Sequence, residues 1–367
     1  MWFLASLGVA AEVLGILLPW SLGLTETVDP QFTRILFWFS GHPIVYFWLL
    51  PVYVSWYLML PRMVGGSIWS DGLTRIVFLS FLVLLPVGVH HQFTDPGVAA
   101  SSKTIQWALT FMIFFPSMIT AFSVIAALEQ GGRRRGGRGL FGWIRRLPWG
   151  EPAVAGQLLA GLVFMLGGSS GFVNASHTVN LEVHNTAFIP GHFHLTVGTG
   201  VALSVMAISY WLVPYLTGHA LRFRRLALAQ VWLWTVGVLA FSRGQMMGGL
   251  DGMPQRTLTS AAPYAADHPS WALANTLTGI GGSLMFVSAL LFFVVIVATV
   301  HNRRLVGAET LEIPLTDIRH GADPSWGILD RLGIWAAIAV VLSILVYGET
   351  IAHYLPLQSV ARAVKVW

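Results

Sequence analysis

Five of the chain's 12 histidines fall in three short motifs within or at the ends of long apolar runs. His42 opens a His-Pro-Ile-Val-Tyr sequence that ends on Tyr46, His90 and His91 are adjacent, and His192 and His194 flank a phenylalanine. Ionisable groups in such surroundings are costly and are functional candidates. Neutral imidazoles bind transition metals, and three of them without a carboxylate favour copper over non-haem iron. The chain has no cysteine, which removes disulfides, thiolate-ligated haem, iron–sulfur clusters and cysteine zinc sites. The expectation is a buried redox metal centre held by histidine, with His42, His90 and His91 around one copper ion.

Spacing separates two tasks. At 100° per residue, His192 and His194 point about 200° apart, so a single helix can ligate two separate cofactors. His90 and His91 are expected about 100° apart at a helix end, where a bend at Pro86 would let both rings reach one ion. His42, Tyr46, Tyr53 and Tyr57 fall in a stripe about 60° wide running inward from the metal layer. Ser117, Thr120 and Ser123 recur every third residue. Together these hydroxyls could form a proton path with water in the gaps. The competing reading is serine and threonine bonded back to their own helix and tyrosine at a membrane interface.

The elements that position these residues are membrane helices. Hydrophobic residues make up 55% of the chain, charged residues 10%, and there are 16 tryptophans; the mean hydropathy is +0.68. The fold expected is an all-α polytopic transmembrane helical bundle, a single integral membrane domain over residues 1–367. Apolar runs of about 20 residues give about nine transmembrane helices, at roughly 2–24, 36–60, 74–92, 103–128, 153–173, 186–216, 226–249, 271–300 and 328–354. The first run carries Glu12 and lacks a basic leader, so it reads as a span and not a cleaved signal. Arg62, the cluster from Arg133 to Arg146, Arg222 to Arg225, and Arg303 with Arg304 follow alternate segments, which places those loops in the cytoplasm. The net charge of +5 sits in these loops, so the pattern implies membrane lipid and no nucleic acid as partner. On this orientation all five histidines lie in the outer third of the membrane. The polar stretch 301–327 reads as a loop.

Three stretches then carry a resemblance. Gly41-His42-Pro43-Ile44-Val45-Tyr46-Phe47-Trp48-Leu49-Leu50-Pro51, Val87-Gly88-Val89-His90-His91-Gln92-Phe93, and His184-Asn185-Thr186 with Pro190-Gly191-His192-Phe193-His194-Leu195 closely resemble subunit I of the B-family heme-copper oxygen reductases, which are terminal cytochrome c oxidases. The likeness runs from the first segment to the C-terminus and includes the Gly-Arg-Gly-Leu-Phe-Gly-Trp-Ile loop around Arg138. It implies reduction of dioxygen to water with electrons from cytochrome c, coupled to proton translocation, in a prokaryotic cytoplasmic membrane. By residue it implies copper on His42, His90 and His91, with Tyr46 as the catalytic tyrosine covalently joined to His42. It further implies a high-spin haem on His192, a low-spin haem on His194, haem propionates near His184, Asn185 and Arg256, and a single proton channel through Tyr53, Tyr57, Ser117, Thr120 and Ser123. The partners implied are an oxidase subunit II carrying a dinuclear copper centre, and cytochrome c.

Some positions depart from the family pattern. Ile44 stands where A-family oxidases carry a glutamate, Gln255 where many relatives have a second arginine beside Arg256, and Asn180 where an aspartate is expected near a propionate. The family also has helices before the first one seen here, one of which supplies the second axial histidine of the low-spin haem. The expectation is a C-terminal portion whose N-terminal partner segment lies outside this chain, with a split or decayed subunit as the alternatives. Nitric oxide reduction in the same superfamily would replace Tyr46 by nearby glutamates; an inactive remnant would keep the ligands without turnover. A non-redox transporter would show inverted repeats, and none is evident.

Overall fold

In lipid, backbone amides must find partners within their own segment, so long apolar runs fold as helices. The computed structural model describes the chain except residues 87–89, 259–267, 308–311, 322–323, 359–360 and 363–367. Its helices are α1 (Trp2–Ser21), α2 (Pro30–Val64), α3 (Asp71–Leu84), α4 (Ala100–Arg134), α5 (Pro152–Ala175), α6 (His177–Val183), α7 (Phe188–Thr217), α8 (Arg224–Leu250), α9 (Ser270–Val300) and α10 (Leu332–Leu357). Among the described residues eight of these are long and apolar enough to cross a membrane, α3 and α6 being the exceptions.

The expected segment at 74–92 is where the count differs. The helix there, Asp71–Leu84, has only 14 residues, about 21 Å of rise. The helix stops just before Pro86, which has no amide hydrogen to continue the ladder. His90 and His91 therefore stand beyond the helix, at the start of a turn, and not 100° apart on a helical end. Within α4, Pro116 cannot donate to the carbonyl of Met112, and the helix is interrupted at Ile113.

α2 starts earlier than expected. Asp29 caps it, Oδ1 accepting from the amides of Gln31 (2.9 Å) and Phe32 (3.0 Å), and Pro30 occupies the first turn. The same carboxylate accepts from Tyr354 Oη at 2.9 Å, tying α10 to the head of α2. His42 consequently sits about 18 Å along the helix from Pro30. It lies more than three turns inside the helix, which corrects its expected place near the start of the segment.

The strands are short. β1 (Thr27–Val28) pairs antiparallel with β4 (Ala361–Arg362), and β2 (Ile68–Ser70) pairs parallel with β3 (Ile318–His320). β3 lies inside the stretch expected to be only a loop. The largest buried cluster joins Tyr53, Trp56 and Leu60 of α2 to Phe81 of α3, Leu158 and Leu159 of α5, Leu203 of α7 and Val231 of α8. α8 and α9 cross closely because a methyl group on Gly281 would overlap the backbone nitrogen of Phe241, and one on Gly244 the Ala274 carbonyl. The frame around the histidines is thus α2, α3, α5, α7 and α8.

Candidate metal centre

α2 and the turn after α3 bring three histidines together. Donor atoms of His42, His90 and His91 all lie within 4.8 Å of one another, the one such group of three among the described residues. His42 Nδ1 is 3.2 Å from His91 Nε2, and ring centroids are 4.8 Å apart for His42 and His90 and 4.4 Å for His90 and His91. His42 Nε2 and His90 Nδ1 are buried and have no hydrogen-bond partner. Leaving such atoms unpaired costs about 1–3 kcal/mol each unless something else binds them. Tyr46 lies one turn below His42, ring centroids 4.6 Å apart.

Sequence reasoning missed the residues that hold the turn. Trp38 stacks on His91 with centroids 3.9 Å apart and an interplanar angle of 11°. Arg34 lies 5.8 Å over the Trp38 ring, pairs through Nε with Asp95 Oδ2 at 2.7 Å, and directs Nη2 to the His91 carbonyl at 3.4 Å. Lys103 Nζ donates to the Asp95 carbonyl at 2.9 Å. Arg34, Trp38, His42 and Tyr46 follow one another at intervals of four along α2. That periodicity puts them on one face and was the available signal.

The other two histidines turn apart on α7, as their spacing predicts. His192 Nδ1 faces α5, 3.1 Å from Gly167 O and 2.9 Å from Ser170 Oγ. Ser170 spends its own hydrogen on Gly167 O at 2.6 Å, so its oxygen accepts from His192. His194 Nδ1 is 2.7 Å from Pro190 O and its ring packs at 4.3 Å on Phe241 of α8. Both contacts keep the proton on Nδ1 and leave Nε2 as a lone-pair donor, the arrangement of metal-binding imidazoles. Nothing in the local sequence marks Ser170 as a partner 22 positions away.

Below the cluster, Tyr57 Oη donates to Thr120 Oγ1 at 3.2 Å, and Thr120 donates to Pro116 O at 2.9 Å. The proline that interrupts α4 thus supplies the carbonyl that orients the threonine. Tyr53 and Ser123 are buried with unpartnered hydroxyls, and Ser117, bonded to Ile113 O at 3.3 Å, lies beside Tyr53. The five hydroxyls share one α2–α4 seam, with gaps between the upper and lower pairs.

Asn185 faces Gln255, the neighbour of Arg256, across a short pairing of two loops: Ala187 N donates to Met253 O at 2.8 Å and Gln255 N to Asn185 O at 3.0 Å. Asn185 and Arg256 both have left-handed backbones, φ 59° and 58°, and both are exposed. His184 is half-buried on the same stretch. Burial pushes its pKa below the ordinary value; the Asp95 carboxylate opposes that shift and Arg34 adds to it.

Comparison with known proteins decides the family. The sequence model of cytochrome C and quinol oxidase polypeptide I matches residues 1–284. The chain belongs to that family. It is 46% identical over 360 residues to cytochrome c oxidase subunit 1 of Thermus thermophilus, covering 96% of this chain and 64% of that protein. It is 30% identical over 279 residues to a probable quinol oxidase subunit 1 of Staphylococcus haemolyticus, covering 73% of this chain and 37% of the relative. A solved heme-copper terminal oxidase dimer superposes with a TM-score of 0.92 at 37% identity, covering all of this chain and 65% of the other. The chain thus spans 64% of the length of the Thermus thermophilus subunit and 65% of that of the solved oxidase chain.

This polypeptide I family implies haem and copper. The donor set fits copper: three imidazoles with no carboxylate among them, two of whose buried nitrogens lack any partner. It fits haem iron at His192 and His194, whose Nε2 atoms make no hydrogen bond among the described residues. Of the departures, Asn180 is buried, its Nδ2 donating to Asn174 O at 2.8 Å and its Oδ1 unpaired. Gln255 Nε2 reaches Asn185 Oδ1 at 3.3 Å, so it reinforces the loop pairing beside Arg256.

Proposed function

We propose that this chain is the oxygen-reducing part of a terminal cytochrome c oxidase subunit I, converting dioxygen to water and translocating protons across a prokaryotic cytoplasmic membrane. The observation that carries the reading is the convergence of His42, His90 and His91 with Tyr46 one turn away. Cytochrome c as donor, through the dinuclear copper of a subunit II, rests on the 46% identity to the Thermus thermophilus subunit against 30% for the quinol oxidase relative.

In this reading His42, His90 and His91 would hold copper, His192 the high-spin haem and His194 the low-spin haem. Haem and copper, when bound, would relay the electrons from the donor and supply the oxygen-binding site. The chain's own residues do the rest. Tyr46 keeps an oxidisable hydroxyl and a proton beside His42. Tyr57 and Thr120 pass protons upward from the cytoplasmic side, with Ser123, Ser117 and Tyr53 completing the path through intervening water. Ser170 and Gly167 fix the tautomer of His192, and Pro190 that of His194. Asn185, Arg256 and His184 offer donors and cationic character where carboxylate propionates would lie.

The test is the complex purified from membranes, assayed for copper and haem and for oxygen uptake with reduced cytochrome c and with a quinol. Uptake with cytochrome c, one copper per His42 cluster and two haems are expected. Full metal content without oxygen uptake from either donor would overturn the reading and leave an inactive remnant; preferential nitric oxide consumption would move it to the reductases.

A further inference from the structure

The loop between α4 and α5 is the most cationic part of the molecule, and its arginines are not equivalent. Arg133 pairs with Glu129 at 2.6 Å. Arg134 donates to Gly65 O at 2.9 Å, and Arg135 to Val64 O at 3.2 Å and Met63 O at 3.3 Å. These two fasten the loop to the end of α2, at the cytoplasmic rim of the bundle. The guanidinium groups of Arg138, Arg145 and Arg146 make no ion pair or hydrogen bond among the described residues, and all three residues are exposed. They line one cleft of about 670 Å³ together with Gly136, Gly137 and Gly142.

The cleft is built into a fixed turn. Gly136 and Gly139 have φ of 86° and 70°, a backbone that side chains oppose. The indole of Trp143 donates to Leu140 O at 2.9 Å and that of Trp149 to Ile144 O at 2.8 Å. Beside the arginines the same turn presents Leu140 and Phe141, 74% and 68% exposed. Three unpaired guanidiniums call for an anion with several acceptor oxygens, which phosphate provides. Two large apolar side chains next to them, at the membrane rim, call for hydrocarbon attached to that phosphate. A free phosphate answers the first requirement and not the second.

We propose that the cleft formed by Arg138, Arg145 and Arg146 is a binding site for the phosphate headgroup of an anionic phospholipid of the cytoplasmic leaflet, with Leu140 and Phe141 against its acyl chains. Basic clusters at this position relative to the membrane attract anionic lipid by about 1 kcal/mol per arginine, or about fivefold each. The site is distinct from the histidine cluster, and its test reads lipid retention and not turnover.

The experiment is native mass spectrometry of the purified, delipidated complex titrated with phosphatidylglycerol, with phosphatidylcholine, and with inorganic phosphate as a competitor. Wild type should retain phosphatidylglycerol in preference to phosphatidylcholine. The triple variant Arg138→Gln, Arg145→Gln, Arg146→Gln should weaken that retention by on the order of 100-fold while keeping its haem and copper. Phe141→Ser should weaken it by a smaller factor. Equal retention in the triple variant would overturn the site. Displacement of the lipid by millimolar inorganic phosphate, with no effect of Phe141→Ser, would overturn the lipid and leave a site for free anions.

Discussion

His42, His90 and His91 face one another, whereas His192 and His194, two residues apart on α7, face away from each other. The trio comes from two segments, and its geometry depends on tertiary contacts: the Trp38 stack, the Arg34–Asp95 pair and the turn that follows α3. The α7 pair inherits its divergence from helix geometry, and each ring is fastened by one nitrogen to a carbonyl, Gly167 O for His192 and Pro190 O for His194. A converging site needs donors from several directions and is exposed to loss of any one support. A diverging pair serves two ligands from one rigid rod, with each ring anchored independently. The two arrangements should therefore fail in different ways.

Removing a ring from the trio should give the largest effect. His90→Ala leaves two imidazoles, too few to hold copper, so copper content should fall to background and oxygen uptake by more than about 100-fold, beyond what loss of a supporting partner gives. Both haem absorption bands should survive, because neither α7 ring contacts His90. Metal analysis and reduced-minus-oxidised spectra check both halves of the statement; loss of haem together with copper would erase the distinction between the two arrangements. Tyr46→Phe is next. The ring and its packing against Phe81 remain, so copper and both haems should stay while steady-state turnover is lost. Normal oxygen uptake in that variant would remove Tyr46 from the chemistry.

The contrast also explains what the chain alone could disclose. The divergence of His192 and His194 follows from a two-residue spacing on a helix, and the α2 stripe from His42 to Tyr57 from intervals near the helical repeat, so both were readable. Membrane helices were readable from composition because lipid leaves the backbone few alternatives. The turn holding His90 and His91 was not, since Pro86 announces a break without giving the path beyond it. Nor was the start of α2: Asp29-Pro30 is a capping pair, yet the polar residues after it hid six residues of helix. Ser170 on His192 and Asp95 on Arg34 are contacts between distant positions, and no local pattern encodes them.

A support should matter more for the trio than for the α7 pair. Asp95 is 5% exposed and pairs with Arg34, which also reaches the His91 carbonyl. Asp95→Asn leaves the Arg34 charge without its partner and loosens the turn. Copper should dissociate about 10- to 100-fold more readily during dialysis against a chelator, with haem content unchanged, a loss typical of a partner behind a metal ligand. Retention of copper at the wild-type level would show that the Trp38 stack alone holds the turn.

The smallest effect is expected where the anchor is duplicated. His192 Nδ1 has two acceptors, Gly167 O at 3.1 Å and Ser170 Oγ at 2.9 Å. Ser170→Ala removes one and leaves the backbone carbonyl, which is also relieved of the serine hydroxyl it was accepting. The proton therefore stays on Nδ1 and Nε2 stays available to iron. Turnover should change by less than about tenfold, below the usual cost of a lost partner behind a metal ligand. The iron–histidine stretching band of the high-spin haem should shift, because the imidazole loses one of the two bonds that set its donor strength. A variant that loses its high-spin haem would show that the serine and not the carbonyl is the anchor, and that the α7 pair depends on tertiary support as heavily as the trio does.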